Sequence, residues 1–469
     1  MKQHTRNILC ILLSGLFGLA AWAQQDVTAL NGYAHGYSPV DGYIVPDDEA
    51  VLAKLDKWQD LKFGVIFHWG VYAVPGITES WHLCAEDEAW EYSDRLQRGM
   101  SLEEYRRWYW GLSAEFNPVN FNPEQWADVM DDAGMKYVVF TTKHHDGFCM
   151  FDSKYTDYTI AKGPFATHPR KDVAREVFDA FRAKDFMIGA YFSKPDWHCT
   201  DYWNPNFAAA NRMPNYDRSK HPDMWERYVT FTQNQLTELT TDYGPLDILW
   251  LDGGQITGEE IRLGEVLEGA RQRHPGLISV DRCERNQYEN YQTPEGVVPP
   301  TQRNIPWETC KPMDGWGWKY DPHYSSSRSI IAMLIEVVAK GGNLLLGVGP
   351  TPDGVIDELA QERLHAVGDW LRKNGKAIYN TRITPLYNDA KVWFNADKDG
   401  QTLYALYALG DGDELPATLQ WTGNIPAGKM TLLATGRKVS YSVKGDTVTV
   451  TLPKGLKAES LALQFRLKK

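Results

Sequence analysis

Several apolar runs of this chain end abruptly in groups that can move protons, carry charge or stack against a ring. "FGVIFHW" delivers His68, "KYVVFTTKHHDGF" delivers His144, His145 and Asp146, and "FMIGAYFS" carries Tyr191. "LDILWLDGG" ends in Trp250 and Asp252, and "LISVDR" ends in Arg282. Asp252 stands out because Gly253 and Gly254 follow it, leaving room for a ligand beside the carboxylate. An acid held at the end of an apolar strand is suited to act as nucleophile or base. Asp247 begins the same strand, and at about 3.3 Å per residue it lies roughly 16 Å from Asp252. Paired carboxylates that cleave glycosidic bonds stand about 5–5.5 Å apart in retaining enzymes and about 6.5–9.5 Å in inverting ones. Asp247 is therefore excluded as the partner. "ERNQYENYQTPEGVVPPTQRNIPWETC" offers Glu284, Glu289, Glu295 and Glu308 instead. Glu295 sits in a proline-rich loop and Glu308 at the start of a possible sixth strand; spacing alone does not separate these two.

The elements that must position these groups recur from about residue 62 to residue 350: an apolar run, a loop with polar or aromatic groups, then a helical segment. The runs are continuous rather than alternating, the pattern of parallel strands buried on both faces. Asn122, Pro123, the stripe Trp126, Val129, Met130 and Ala133, and then Gly134 read as a cap, a first-turn proline, an apolar face and a C-terminal glycine. Asp172 with Val173, Val177, Phe178 and Phe181 predicts a second helix. Asp223 with Trp225, Val229, Thr232 and Leu236 predicts a third. Such alternation over a span above about 250 residues predicts an α/β fold, a (β/α)8-like barrel whose functional groups gather at the C-terminal ends of the strands. No GxGxxG or GxxxxGK turn supports a nucleotide-binding open sheet. After "AVGDWLRKNGKAIYN" the chain changes to short alternating strands separated by Asp-Gly, Lys-Gly and Thr-Gly turns, which predicts a C-terminal antiparallel β-sandwich. The expected division is a signal peptide at 1–23, a catalytic barrel at 24–380 and the sandwich at 381–469.

The signal peptide is read from Lys2 and Arg6, the apolar run 8–20, and Ala21-Trp22-Ala23, so export to the periplasm or medium is expected. Removing it takes two positive charges from a formal net charge of −12, leaving −14. A chain this acidic has no electrostatic attraction for nucleic acid, and no membrane span is expected in the mature part. Cys84, Cys149, Cys199, Cys283 and Cys310 include no CxxC pair, so neither a disulfide framework nor a zinc ribbon is expected. With 18 Trp and 24 Tyr the chain is rich in rings able to stack on sugars.

The assembled segments resemble the α-L-fucosidases of glycoside hydrolase family 29. They are "FGVIFHWGVYAVPG", "FNPEQWADVMDDAGMKYVVFTTKHHDGF", "GAYFSKPDW", "ILWLDGG", "PWETC" with "GWGW", and "GGNLLLGVGPTPDG" leading into "AVGDWLRKNGKAIY", in order over residues 62–379. The resemblance implies a retaining exo-hydrolase of terminal α-L-fucose in glycans; with no HxH or HExxH spacing in the chain, no metal or cofactor is expected. It implies Asp252 as nucleophile and, through "TPE", Glu295 as acid/base, with Glu308 as its rival. It implies fucose contacts from His68, His144, His145, Tyr191, Trp250 and Arg282, with Trp316 of "GWGW" against the sugar methyl. Glu79 and Trp81 in "TESWHL" are the nearest match to a Glu-Trp pair, with one residue inserted. Gly347 departs from the family's pattern, which has asparagine there. Two competing readings are a metal-dependent hydrolase using His68, His144, His145, Asp146 and His198, and a non-catalytic fucose-binding protein. Adjacent histidines on a regular strand face opposite ways, so both reach one pocket only if the strand breaks at its end.

Overall fold

A computed structural model describes residues 42–84, 93–209, 211–282 and 284–468. The expected signal peptide, with Cys10, and Cys283 lie outside the described residues. Seven parallel strands form one curled sheet in the order β5-β4-β3-β2-β1-β7-β6. They are β1 (Phe63–Phe67), β2 (Tyr137–Lys143), β3 (Met187–Ser193), β4 (Ile248–Asp252), β5 (Ile278–Asp281), β6 (Glu308–Pro312) and β7 (Asn343–Val348). Every run read from the sequence as a strand is one.

The place between β5 and β6, where an eighth strand would close the barrel, is filled by an irregular segment. Its pairing there is limited to isolated bridges, Gln292 with Trp307 and Glu295 with Cys310. Pro294, Pro299, Pro300 and Pro306 have no N–H to give a ladder, which is why this stretch stays irregular.

The helices follow their sequence signals. Asn122 accepts a hydrogen bond from the Gln125 amide at 3.1 Å, and helix Pro123–Asp132 begins at the proline. The second predicted helix is Val173–Arg182. The third, Pro222–Asp242, starts one residue earlier than its predicted cap, with His221 at the boundary and Asp223 in the first turn, where a carboxylate suits the helix's positive end.

Alternate residues of the strands point inward. Ile66, Tyr137, Val139, Tyr191, Ile248, Trp250, Ile278, Val280 and Leu345 make one buried cluster, and Phe63, Val65, Phe67 and Val138 pack outward against the helices. Helix Glu49–Leu61 covers the N-terminal end, where Trp58 stacks on Tyr291 at 4.0 Å between ring centroids. Asp247 is ion-paired with Lys54 there, at the end away from Asp252.

Beyond helix Glu358–Asn374, nine short antiparallel strands run from Thr381 to Leu467. They fold over a core of Val392, Phe394, Trp421, Val448, Val450 and Phe465, with Trp421 5.7 Å from Phe394 and 6.0 Å from Phe465. Trp370 and the Ser460 carbonyl, 2.8 Å apart, tie this layer to helix Glu358–Asn374.

Candidate active site

Asp252 ends β4 and is 6% exposed, so its carboxylate lies inside the rim of the barrel. Arg282, which follows β5, donates to Oδ1 at 2.8 Å, and the Tyr191 hydroxyl donates to Oδ2 at 2.7 Å. Burial and the Asp252 charge raise the Tyr191 phenol well above its ordinary range, so it stays a donor. Gly253 has φ +90°, and a Cβ there would stand 2.2 Å from Pro195 Cδ. The glycine after Asp252 therefore serves the turn and the approach of Pro195, rather than leaving space for a ligand.

The two histidines reach the same pocket because β2 stops at Lys143 and its pairing with β3 slips between Thr141 and Lys143. A slip of this kind re-aims the side chains that follow. His144 then turns toward Glu79, with Nε2 3.7 Å from Oε1, and His145 toward Asp252, with Nε2 3.9 Å from Oδ2. Their ring centroids are 4.3 Å apart. The turn is held by Asp146, whose oxygens accept from the Phe148 amide at 3.0 Å and the Tyr109 hydroxyl at 2.8 Å. Its carboxylate is thus committed to the backbone turn.

Glu79 completes this wall. Trp81 Nε1 donates to Glu79 Oε2 at 2.8 Å, and His68 Nε2 stands 3.3 Å from Oε1. Burial, and then the charges of Glu295 and Asp252, push the Glu79 carboxyl well above its usual range. Burial, and then the neighbouring imidazole, hold His68 and His144 well below theirs. These shifts favour the uncharged forms, and each group can then offer or accept a hydrogen bond, which is the chemistry that reads sugar hydroxyls. His68, Glu79 and His144 also place ligand atoms within 4.8 Å of one another, the one grouping among the described residues close enough to hold a cation. Asp146, His145 and His198 of the predicted metal set fall outside it.

Trp250 lies beneath this pocket, 1% exposed, parallel to Tyr191 at 5.3 Å and 5.3 Å under the Arg282 guanidinium. Its indole N–H donates to Glu308 Oε1 at 3.0 Å, and Tyr137 donates to Oε2 at 2.7 Å. Glu308 is wholly buried under the pocket floor with both oxygens engaged. Glu295, in contrast, is partly exposed on the irregular segment and receives hydrogen bonds from Arg282 Nη2 and, at 2.8 Å, from Trp316 Nε1. One guanidinium thus holds both Asp252 and Glu295. Trp316 lies 4.7 Å from the His68 ring, on the same side.

Burial pushes the Glu308 carboxyl up to about 7, against hydrogen bonds from Tyr137, Trp250 and Tyr291 that favour ionisation. A raised carboxyl pKa means that the folded state keeps a proton the unfolded chain has lost. The resulting stability is complete below the ordinary value of 4.5 and is lost as pH rises toward 7. Glu308→Gln, which cannot ionise, is expected to gain on wild type by up to about 3 kcal/mol between pH 4.5 and 8. Urea midpoints at several pH values check this; a difference that does not change with pH contradicts it.

Two supports were not signalled by the sequence. Ser80 Oγ lies 2.6 Å from His144 Nδ1, and Ser193 Oγ 2.5 Å from His145 Nδ1 while donating to the Pro195 carbonyl. They fix the ring planes of the two histidines, and each stands next to or near a predicted site residue, Ser80 between Glu79 and Trp81. Serines are too common for type alone to single them out.

Residues 40–376 match the profile of the family described as Alpha-L-fucosidase. The tissue alpha-L-fucosidase of Mus musculus is 31% identical over 390 residues, covering 77% of this chain and 80% of the mouse protein. The plasma alpha-L-fucosidase of Rattus norvegicus is 29% identical over 429 residues, 85% of this chain and 88% of the rat protein. Among solved structures, alpha-L-fucosidase isoenzyme 1 from Paenibacillus thiaminolyticus superposes with a TM-score of 0.75 at 29% identity, over 90% of this chain and all of the other. The barrel, the carboxylate at the end of its fourth strand and these matches together place the chain in the alpha-L-fucosidase family of glycoside hydrolases.

Proposed function

We propose that the protein is an exported, retaining exo-α-L-fucosidase that releases terminal α-L-fucose from glycans. The observation that carries the reading is the Arg282 guanidinium shared by Asp252 and Glu295, which brings two carboxylates to one face of a pocket lined by neutral hydrogen-bonding groups. Two carboxylates on one guanidinium are close neighbours, as a double displacement requires of its pair.

In the first step an oxygen of Asp252 bonds to the anomeric carbon as the glycosidic C–O bond breaks. The leaving oxygen takes the bond pair and the proton of Glu295. In the second step water attacks the same carbon, Glu295 takes its proton, and the ester bond to Asp252 breaks. Arg282 and Tyr191 hold and orient Asp252, while His68, His144, His145 and Glu79 are placed to read hydroxyls. The indole of Trp316 offers an apolar surface to the C6 methyl, the one carbon of fucose without an oxygen.

Two displacements at one carbon restore its configuration. Proton NMR of the earliest product is expected to show α-L-fucose before mutarotation. If β-L-fucose forms first, water attacks directly and the assignment of Asp252 as nucleophile falls.

A further inference from the structure

The Trp316 indole does more than present an apolar face, because its N–H is spent on Glu295. Nε1 donates to Oε1 at 2.8 Å, and Arg282 Nη2 donates to the other oxygen. Two donors from different segments therefore fix the rotation of a carboxyl group that sits on an irregular loop. The loop backbone on either side of it is held by the Gly296 amide on the Cys310 carbonyl at 2.9 Å and the Cys310 amide on the Pro294 carbonyl at 3.2 Å.

The indole reaches that position because residue 347 has no side chain. Gly347 lies within β7, paired with Ile66 and Pro312. A Cβ there would stand 2.6 Å from Trp316 Cζ3, 3.0 Å from Cε3 and 2.9 Å from Pro312 Cα. Its φ lies outside the left-handed region, so space, and not backbone conformation, is what calls for glycine. The ring edge occupies the volume a side chain would fill, and its far side carries the N–H to Glu295.

We infer that Trp316, seated on Gly347, is the positioning residue for the acid/base Glu295, so that a single ring couples the sugar-methyl contact to the aim of the proton donor. This rests on Glu295 being the acid/base. It also gives a physical reason for glycine at 347: a side chain there displaces the ring and releases Glu295.

The test compares two substrates, an activated aryl fucoside whose phenoxide departs without a proton and a fucosyl-galactose disaccharide whose alkoxide needs one. Trp316→Phe keeps a ring and removes the N–H. It is expected to lower kcat/KM on the disaccharide about 10–100-fold more than on the aryl fucoside, the excess being a fraction of what general acid catalysis supplies and the shared loss reporting the methyl contact. Gly347→Ala should show the same excess loss on the disaccharide, and in each variant the weakening of inhibition by free fucose should match the loss shared by both substrates, because the ring is also the methyl contact. Equal losses on both substrates, or none on either, overturn the inference. Glu295→Ala is measured alongside. If it lacks the selective loss, the acid/base assignment itself fails; if it shows the loss and both Trp316→Phe and Gly347→Ala do not, only the positioning role fails. Thermal melts of the two variants separate misfolding from misaiming.

Discussion

Asp252→Ala is expected to lower kcat by on the order of 10⁴–10⁶-fold, the scale seen when a covalent nucleophile is removed, while the fold survives. Survival is expected because Arg282 keeps Glu295 as a partner, so the substitution does not strand a buried cation. The truncation leaves a space facing the anomeric carbon, lined by Arg282 Nη1 and the Tyr191 hydroxyl, both donors that once served Asp252. A small anion such as azide fits those donors. With an activated aryl fucoside it should restore turnover and yield the β-fucosyl azide, since one displacement inverts the centre. A variant that retains full turnover without azide removes Asp252 from the mechanism.

The second large effect separates Glu295 from Glu308. Glu295→Ala should lose about 10²–10⁴-fold on substrates whose leaving group needs a proton, and far less on activated ones. Azide should rescue it by attacking the glycosyl-enzyme from the face Glu295 has vacated, giving the α-fucosyl azide because two displacements have then occurred. The opposite product configurations of the two rescued variants assign nucleophile and acid/base in one experiment. Glu308→Ala should behave otherwise. It deprives the buried Tyr137 hydroxyl and Trp250 indole of their acceptor, and each orphaned donor costs about 1–3 kcal/mol. The signature is a lower urea midpoint with no azide rescue; rescue of Glu308→Ala and none of Glu295→Ala would exchange their roles.

Much of this arrangement was legible from the chain. The continuous apolar runs, the proline-opened helix after Asn122 and the Asp-Gly turns of the C-terminal region are local signals, and local signals determine local conformation. Asp252 was legible for the same reason, since an acid at the end of an apolar run can only be at the rim once the run is a barrel strand. Asp247 was excluded by strand rise alone, and its ion pair with Lys54 lies at the opposite end.

Other features depend on groups that meet only in three dimensions. His144 and His145 share a pocket because the pairing of β2 with β3 slips at Thr142, a property of two strands and not of either one. Glu295 and Glu308 are both acids in one stretch of chain; burial beneath Trp250 and Tyr137 takes one out of reach, and partial exposure beside Arg282 leaves the other available. Gly253 reads as an opening for ligand and in fact accommodates Pro195, a residue of the preceding strand's loop. Periodicity, caps and motif order are carried by neighbouring residues, so the barrel, the C-terminal antiparallel layer, the nucleophile candidate and the family could be read along the chain. Which acid faces the pocket, which way burial shifts each imidazole and what Gly347 makes room for depend on burial and pairing, which sum over residues far apart in the chain.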